Sequence, residues 1–345
     1  MDKRKPHHYT GCLLGGAVGD ALGAPVEFDS YAEIQRKYGE VKGYILSPGE
    51  LASITDDTQM TLFTAEGLLR AFCRGNQRGI EPMFDRIVYH AYLRWLATQG
   101  ERSPDPYFSQ QNFDGRLITV KELHARRGPG NTCLSALKSG KMGTTGEPIN
   151  NSKGCGGVMR SAPVGLIMPA NIVFDTACNL AAITHGHPSG YLSAGVFAEI
   201  ISRIISGFSL SEAINKSLET LKTKPHHAEC LAAIYHALAL AASEPPSAQT
   251  VERMGGGWVG EEALAISLYC SLTAENDFAK GVLLAVNHSG DSDSTGAITG
   301  NILGASLGKD AIPAPWLKQL ELRPLIEEIA LDLLQRYEDT DDWSK

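Results

Sequence analysis

An all-α fold follows from three features of the sequence. Apolar residues recur at helical spacing along most of its length, alternating strand patterns are scarce, and glycine occupies every fourth position in two separate runs. The first apolar stripe comprises Leu13, Leu14, Ala17, Val18, Ala21 and Leu22. Met60, Phe63, Gly67 and Leu68 form a second that continues to Phe72, and 83–98, 190–206, 226–243, 261–274 and 277–286 repeat the pattern. An apolar helix is also expected over 174–184. Ser209-x-x-Glu212 reads as a capping box, because each side chain can accept from the other's backbone N–H, and it opens a helix over 210–222. The best strand candidate is the alternation from Val41 to Leu46. Breaks rich in Gly, Pro and Asn fall at 99–116, 126–131, 143–157, 244–248 and 311–315. They join helices and do not read as interdomain linkers, so one domain over 1–345 is expected, with a loop insertion at 99–127.

Composition narrows the function. Of 345 residues, 43% are hydrophobic and 20% charged, which excludes disorder and coiled coil. The net charge is 31 minus 39, or −8, with no basic run beyond Lys3-Arg4-Lys5, so neither a nucleic acid nor an anionic membrane is an expected partner. Acidic groups are instead available to collect cations. The seven cysteines are odd in number and never in CxxC spacing, as in a reducing compartment. No apolar run reaches the roughly 18 residues that span a bilayer, and the start MDKRKPHHYT lacks the apolar core of a signal peptide. A cytoplasmic location is the expectation.

Glycine, at 36 residues, is abundant. Gly11, Gly15, Gly19 and Gly23 recur every four positions, as do Gly296, Gly300, Gly304 and Gly308. Each set lays a bare ridge along a helix. A glycine costs roughly 1 kcal/mol against alanine there, so these ridges need a compensating close contact, such as interlocked i±4 rows. The two helices are therefore expected to pack on each other and draw distant parts of the chain together. A membrane GxxxG dimer is the alternative, and Asp20 and Asn301 argue against it.

Acidic residues flank both ridges. Thr55-Asp56-Asp57-Thr58 opens the helix running through 70; alone it reads equally as an N-cap with first-turn acids. Asp291-Ser292-Asp293-Ser294-Thr295 directly precedes the second ridge, and two carboxylates so close repel one another unless a cation neutralises them. Carboxylate and hydroxyl donors without paired His or Cys favour hard ions such as Mg²⁺, Mn²⁺ or Ca²⁺. An EF-hand does not fit, since Ile302 stands where its bidentate Glu belongs. Four carboxylates from two segments suit two ions gripping vicinal hydroxyls or phosphate oxygens. Gly304-Ala-Ser306-Leu-Gly308 satisfies the GxSxG pattern but lacks the preceding strand.

Two glycine loops, Gly128-Pro-Gly130 and Gly154-Cys155-Gly156-Gly157, each precede an expected helix, the first capped by Asn131 or Thr132. Amides at helix starts bind phosphate; plain tight turns are the competing reading. His185-Gly-His187 closes an apolar helix, where a histidine can answer the helix dipole, bind metal or contact a base, and a nucleotide contact is the favoured reading for His185.

These pieces, in this order, resemble the ADP-ribosylglycohydrolase family. The matching stretches are GCLLGGAVGDALGAPVEF (11–28), SITDDTQMTL (53–62), GPGNTCLSAL (128–137), GCGGVMRSAPVGL (154–166), THGHP (184–188) and HSGDSDSTGAITGNILGASLG (288–308). The resemblance implies an orthogonal multi-helix bundle with a dinuclear metal centre in a cleft, normally two Mg²⁺ ions and in some members Mn²⁺. It implies hydrolysis of the bond between ribose and a modified protein side chain. By motif position, Thr55, Asp56, Asp57, Asp291, Asp293 and Ser294 would be metal ligands. Glu27 would be the metal-linked acid/base, with Asp291 a second candidate. Gly128, Gly130, Asn131 and Thr132, with Ser152, Gly154, Cys155 and Gly156, would hold the diphosphate or distal ribose, and His185 would lie near the adenosine. Cys155 stands where many members have Asn, so a side-chain hydrogen bond from that position is in question.

The expected activity is removal of mono-ADP-ribose from proteins, arginine-linked by preference. The alternatives are a serine-linked adduct or an immunity-type protein that neutralises an ADP-ribosyltransferase toxin. ADP-ribose and an ADP-ribosylated protein are the expected partners. The aromatic- and arginine-bearing 99–127 loop, with Tyr107, Phe108, Arg116, Arg126 and Arg127, is expected to border the cleft, or else to be a surface insertion.

Overall fold

The computed structural model describes residues 2–109, 114–335 and 343. Among them there is no β-strand; the only extended pairings are the isolated bridges Ala52–Leu320 and Gly154–Val259. The rest is a bundle of α-helices with short 3-10 turns, as periodicity predicts. Observed helices Phe84–Thr98, Pro188–Ile205, Ala228–Ser243, Gly260–Thr273 and Phe278–Val286 lie within two residues of the expected bounds, and Ser209 and Glu212 form the expected capping box on Leu210–Lys222. No described helix is long and apolar enough to cross a membrane.

The centre of the molecule is the pair of glycine-ridge helices, Pro6–Gly23 and Ser292–Leu307. They run antiparallel, Gly11 against Gly304, Gly15 against Gly300, Gly19 against Gly296, and Gly23 against Ser292. At each of these glycines a Cβ would collide with the partner's backbone, which is why glycine is tolerated in the first helix at four positions and in the second at three, while Gly308 ends the second helix with a φ of +87°. Asn301 reinforces the seam by donating its side-chain amide to the Cys12 carbonyl at 2.8 Å. Both helices are almost wholly buried, and a single large apolar cluster surrounds them. The seven cysteines are free thiols, all buried except the partly buried Cys155.

Two local expectations are corrected. Val41 to Leu46 forms no strand, because the Asn287 side chain takes both backbone groups of Val41, accepting from its N–H and donating to its carbonyl at 2.9 Å each, and no neighbouring strand is present to pair with. Neither Asn131 nor Thr132 caps the helix Asn131–Lys138; Gly130 occupies the N-cap without a side-chain bond.

Candidate active site

The antiparallel seam fixes where the acids meet. The helix Asp56–Arg78 begins with its carboxylates in the first turn and Thr55 at its N-cap. The second ridge helix begins beside it, with Asp291 as N-cap and Asp293 in its first turn. Asp20, one residue after Gly19, holds the first of these helix starts in place. Its carboxylate accepts from the Thr55 N–H at 3.0 Å, the Thr58 N–H at 3.2 Å and the Thr58 hydroxyl. The two acidic clusters touch directly, the Thr55 hydroxyl lying 3.4 Å from Asp293 Oδ2.

Glu27 completes the group. Carboxylate oxygens of Glu27, Asp291 and Asp293 lie within 4.8 Å of one another, a separation at which each can ligate one cation. Asp56, Asp57, Asp291 and Asp293 are all at least 95% buried, and Asp57 Oδ1 is buried with no hydrogen-bond partner. A buried, unanswered carboxylate oxygen beside three others is costly unless a cation meets it, so this donor set fits hard divalent ions.

The electrostatics agree. Burial first, then mutual repulsion, pushes the carboxyls of Asp57 and Asp293 well above the usual range; burial does the same to Asp56, which the Gly130 N–H partly relieves. Burial and the charges of Asp291 and Asp20 raise Glu27 to about 8. Burial raises Asp20 to about 6 against its Thr58 and Thr55 donors.

These acids floor a cleft of about 480 Å³. Of the predicted residues, Glu27, Asp56, Asp57, Gly128, Gly130, Asn131, Thr132, Gly154, Cys155, Gly156, His185, Asp291, Asp293 and Ser294 line it. Thr55 and Ser152 stand behind the lining. The first contacts Asp293, and the second lies 3.1 Å from the Thr132 hydroxyl and accepts from the Gly154 N–H at 3.3 Å. Gly128 holds a φ of +65°, and the Gly130 N–H donates to Asp56 at 3.0 Å, so this loop is tied to the acids.

Cys155 makes a side-chain bond of its own: its thiol donates to Asp291 Oδ2 at 2.8 Å. His185 is 2% exposed and lies under the second glycine loop, where a methyl on Gly156 would stand 2.9 Å from its ring. Its Nδ1 is 2.8 Å from the Thr184 hydroxyl, which accepts from the buried Arg160, and burial lowers the ring to about 3, so it is neutral. His187 is the N-cap of Pro188–Ile205, so the HxH pair does not close on one metal. Of the named residues in the 99–127 loop, only Arg126 lines the cleft; Tyr107 bonds Arg94, Arg116 pairs with Glu328 and Arg127 with Glu321.

Sequence reasoning missed three residues here. Asp20 carried a signal, a charge inside an apolar helix. Phe28 and Trp258, which line the cleft, carried none.

Comparisons with known proteins agree with this geometry. The ADP-ribosylglycohydrolase family model matches residues 1–342. An ADP-ribosyl-dinitrogen reductase glycohydrolase from Rhodospirillum rubrum is 27% identical over 91% of this chain and 90% of its own length. An ADP-ribosylarginine hydrolase from Serratia proteamaculans is 27% identical over 96% of this chain and 79% of its own. A solved structure titled ADP-ribosylglycohydrolase-related protein complex superposes with a TM-score of 0.65 at 27% identity, covering 97% of this chain and 99% of that one. With the acidic cleft, the glycine seam and the whole-chain match in hand, the chain belongs to the ADP-ribosylglycohydrolase family, hydrolases that cleave ADP-ribose glycosidic bonds.

Proposed function

We propose that this chain removes mono-ADP-ribose from arginine side chains of modified proteins, with two Mg²⁺ ions, or Mn²⁺ in their place, at the acidic cluster. The observation that carries the reading is the convergence of Glu27, Asp291 and Asp293 within 4.8 Å beside Asp56 and Asp57, at the floor of a cleft walled by two glycine loops. The family is metal-dependent, and the donor set here is all oxygen. Thr55, Asp56, Asp57, Asp291, Asp293 and Ser294 would hold the ions, which when bound supply Lewis-acid fixation of the ribose hydroxyls.

The chain's own groups do the rest. Glu27, beside the expected metal ligands Asp291 and Asp293, is placed to exchange a proton with the leaving nitrogen as water adds to the ribose carbon and the glycosidic bond breaks. Asp291, held by the Cys155 thiol and by the Ser294 N–H, is oriented toward the same point and is the second candidate for proton transfer. The loops at Gly128–Thr132 and Gly154–Gly156 let backbone approach a diphosphate closely, and the His185 ring supports the second from beneath.

Arginine is preferred over serine on the strength of a named relative. A relative of 27% identity is named an arginine hydrolase. The test is ADP-ribose release from arginine-linked and serine-linked peptides with Mg²⁺. Wild type should act on the arginine peptide, the Asp56→Ala/Asp57→Ala double variant on neither, and Glu27→Gln should lose at least a hundredfold in kcat. Preference for the serine peptide, or turnover by the double variant, would overturn the reading.

A further inference from the structure

Two large aromatic side chains stand in the open at the mouth of the cleft, Phe28 77% exposed and Trp258 43% exposed. Their rings stack on one another with centroids 5.7 Å apart and planes 18° from parallel. Both line the cleft that holds the carboxylates. Each is anchored to the acidic floor by its neighbour in sequence. Phe28 follows Glu27, and Trp258 follows Gly257, where a methyl would stand 3.5 Å from Asp291 Cβ. The Trp258 carbonyl also accepts from the Cys155 N–H at 3.1 Å, which ties its backbone to the second glycine loop.

A stacked aromatic pair left in water beside a cluster of acids selects among ligands by chemistry. A neutral apolar group would leave Glu27, next to Phe28 and outside the expected ligand set, unmet. A compact, strongly hydrated ammonium gains little from ring faces. A planar, weakly hydrated cation satisfies both surfaces, its face on the ring and its N–H edge toward oxygen. At 5.7 Å the rings leave no room between them for a third plane, so the ligand must use an outer face.

We infer that the Phe28–Trp258 pair receives the guanidinium of the modified arginine and so selects the leaving group. The inference rests on the arginine reading above and adds where that group lies, beside Glu27 rather than among the glycine loops.

The test uses the Mg²⁺-loaded protein saturated with ADP-ribose, titrated by NMR with N-acetylarginine amide and with its neutral isostere N-acetylcitrulline amide. The arginine amide should bind about tenfold more tightly, and Trp258→Ala or Phe28→Ala should each remove about that factor. Trp258→Phe, which keeps a ring, should retain most of it and guards against a folding defect in the alanine variant. In turnover, the ratio of kcat/KM for arginine-linked over serine-linked peptide should fall about tenfold in Trp258→Ala. Equal binding of the two amides, or Trp258→Ala weakening ADP-ribose while sparing the arginine amide, would overturn the inference and move the pair to the nucleoside. If the arginine amide binds as expected but wild type releases nothing from the arginine peptide, the arginine-hydrolase reading fails and the aromatic site stands.

Discussion

Gly296→Ala tests whether the glycine seam holds the two acidic clusters together. A methyl at Gly296 would stand 2.5 Å from the Gly19 carbonyl oxygen and 2.8 Å from Val286 Cγ1, where real Cβ contacts essentially never fall below 3.0 Å. Relief to between 3.0 and 3.4 Å requires the helices to part by about 0.5–0.9 Å, since backbone on the far side cannot turn away. Overpacking of this kind costs typically 1–3 kcal/mol, and opening the seam also loosens the Gly15–Gly300 and Gly11–Gly304 contacts. With two further contacts loosened the cost is taken at the upper end, about 3 kcal/mol; alanine returns about 1 kcal/mol of helix propensity, which leaves a net loss of about 2 kcal/mol. At roughly 2.1 cal/mol/K per residue, a chain of 345 residues should lose about 3 °C in Tm. Because Asp20 follows Gly19 and Asp293 precedes Gly296, the same separation should weaken Mg²⁺ binding. Scanning calorimetry with and without Mg²⁺ measures both. Gly146→Ala, where a methyl meets nothing within 4 Å, is the control and should stay within about 0.5 kcal/mol of wild type. A Gly296→Ala protein as stable as wild type would show that propensity outweighs contact and that the seam is not tight.

Four further outcomes are expected. Asp20→Ala strands the Thr55 and Thr58 donors in a buried position and should cost about 3 kcal/mol; an unchanged urea midpoint would contradict that role. Glu66→Ala leaves Arg94 buried without the carboxylate it meets at 2.6 Å, and strips the Leu117 N–H of its acceptor, so about 3–5 kcal/mol should be lost in the same measurement. Cys155→Ala removes a donor to Asp291 and should lower kcat about tenfold, whereas Cys155→Asn, which can still donate, should recover most of it; equal rates for the two would leave the thiol without a function in turnover. In chelator, stability should fall as pH rises. The folded chain keeps protons on Asp20 to about 6 and on Glu27 to about 8 that the unfolded chain releases near 4, so the stabilisation is full below about pH 4 and is lost through that window. Tm in EDTA should therefore be lower at pH 8 than at pH 5.5, and saturating Mg²⁺ should flatten the dependence; a Tm rising with pH in EDTA would reverse the sign of the argument.

Much of the fold was legible because its causes are local. Glycine at i+4 is a geometric statement about one helix face, and two such faces have few partners other than each other. The acids were legible as well, since Asp291-x-Asp293 is repulsive wherever it folds. What stayed hidden depends on contacts far apart in sequence. Val41 to Leu46 has the alternation of a strand, yet an amide from Asn287 takes the backbone groups a neighbouring strand would have used. Asp20 reads as a break in an apolar stripe, and its role as acceptor for the start of Asp56–Arg78 exists only once the seam has formed. Phe28 and Trp258 lie 230 positions apart and meet only because the 257–258 turn is pinned to Asp291 and Cys155. The arginines of the 99–127 loop were equivalent on paper; Arg116 is drawn to Glu328 and Arg127 to Glu321, while Arg126, paired with Glu101, borders the cleft.

The direction of the two helices explains how so much negative charge is tolerated in one buried place. Asp56–Arg78 and Ser292–Leu307 both begin at the cleft, so each turns its positive dipole end, and its unpaired first-turn N–H groups, toward the carboxylates. Thr55 and Asp291 use part of that capacity as N-caps, and the Ser294 N–H donates to Asp293 at 2.9 Å. Each dipole is worth typically 0.3–1 kcal/mol, too little to offset the burial and then the mutual repulsion of five carboxylates, which is why Asp56, Asp57, Asp293 and Glu27 still hold their protons more tightly than usual. An antiparallel seam cannot relax this by sliding, because its register is set by glycine against glycine at three levels and by Gly23 against Ser292 at a fourth. The fold therefore builds an anionic pocket whose repulsion protons or cations discharge, and divalent ions, displacing several protons at once, would do so with the oxygens already in place.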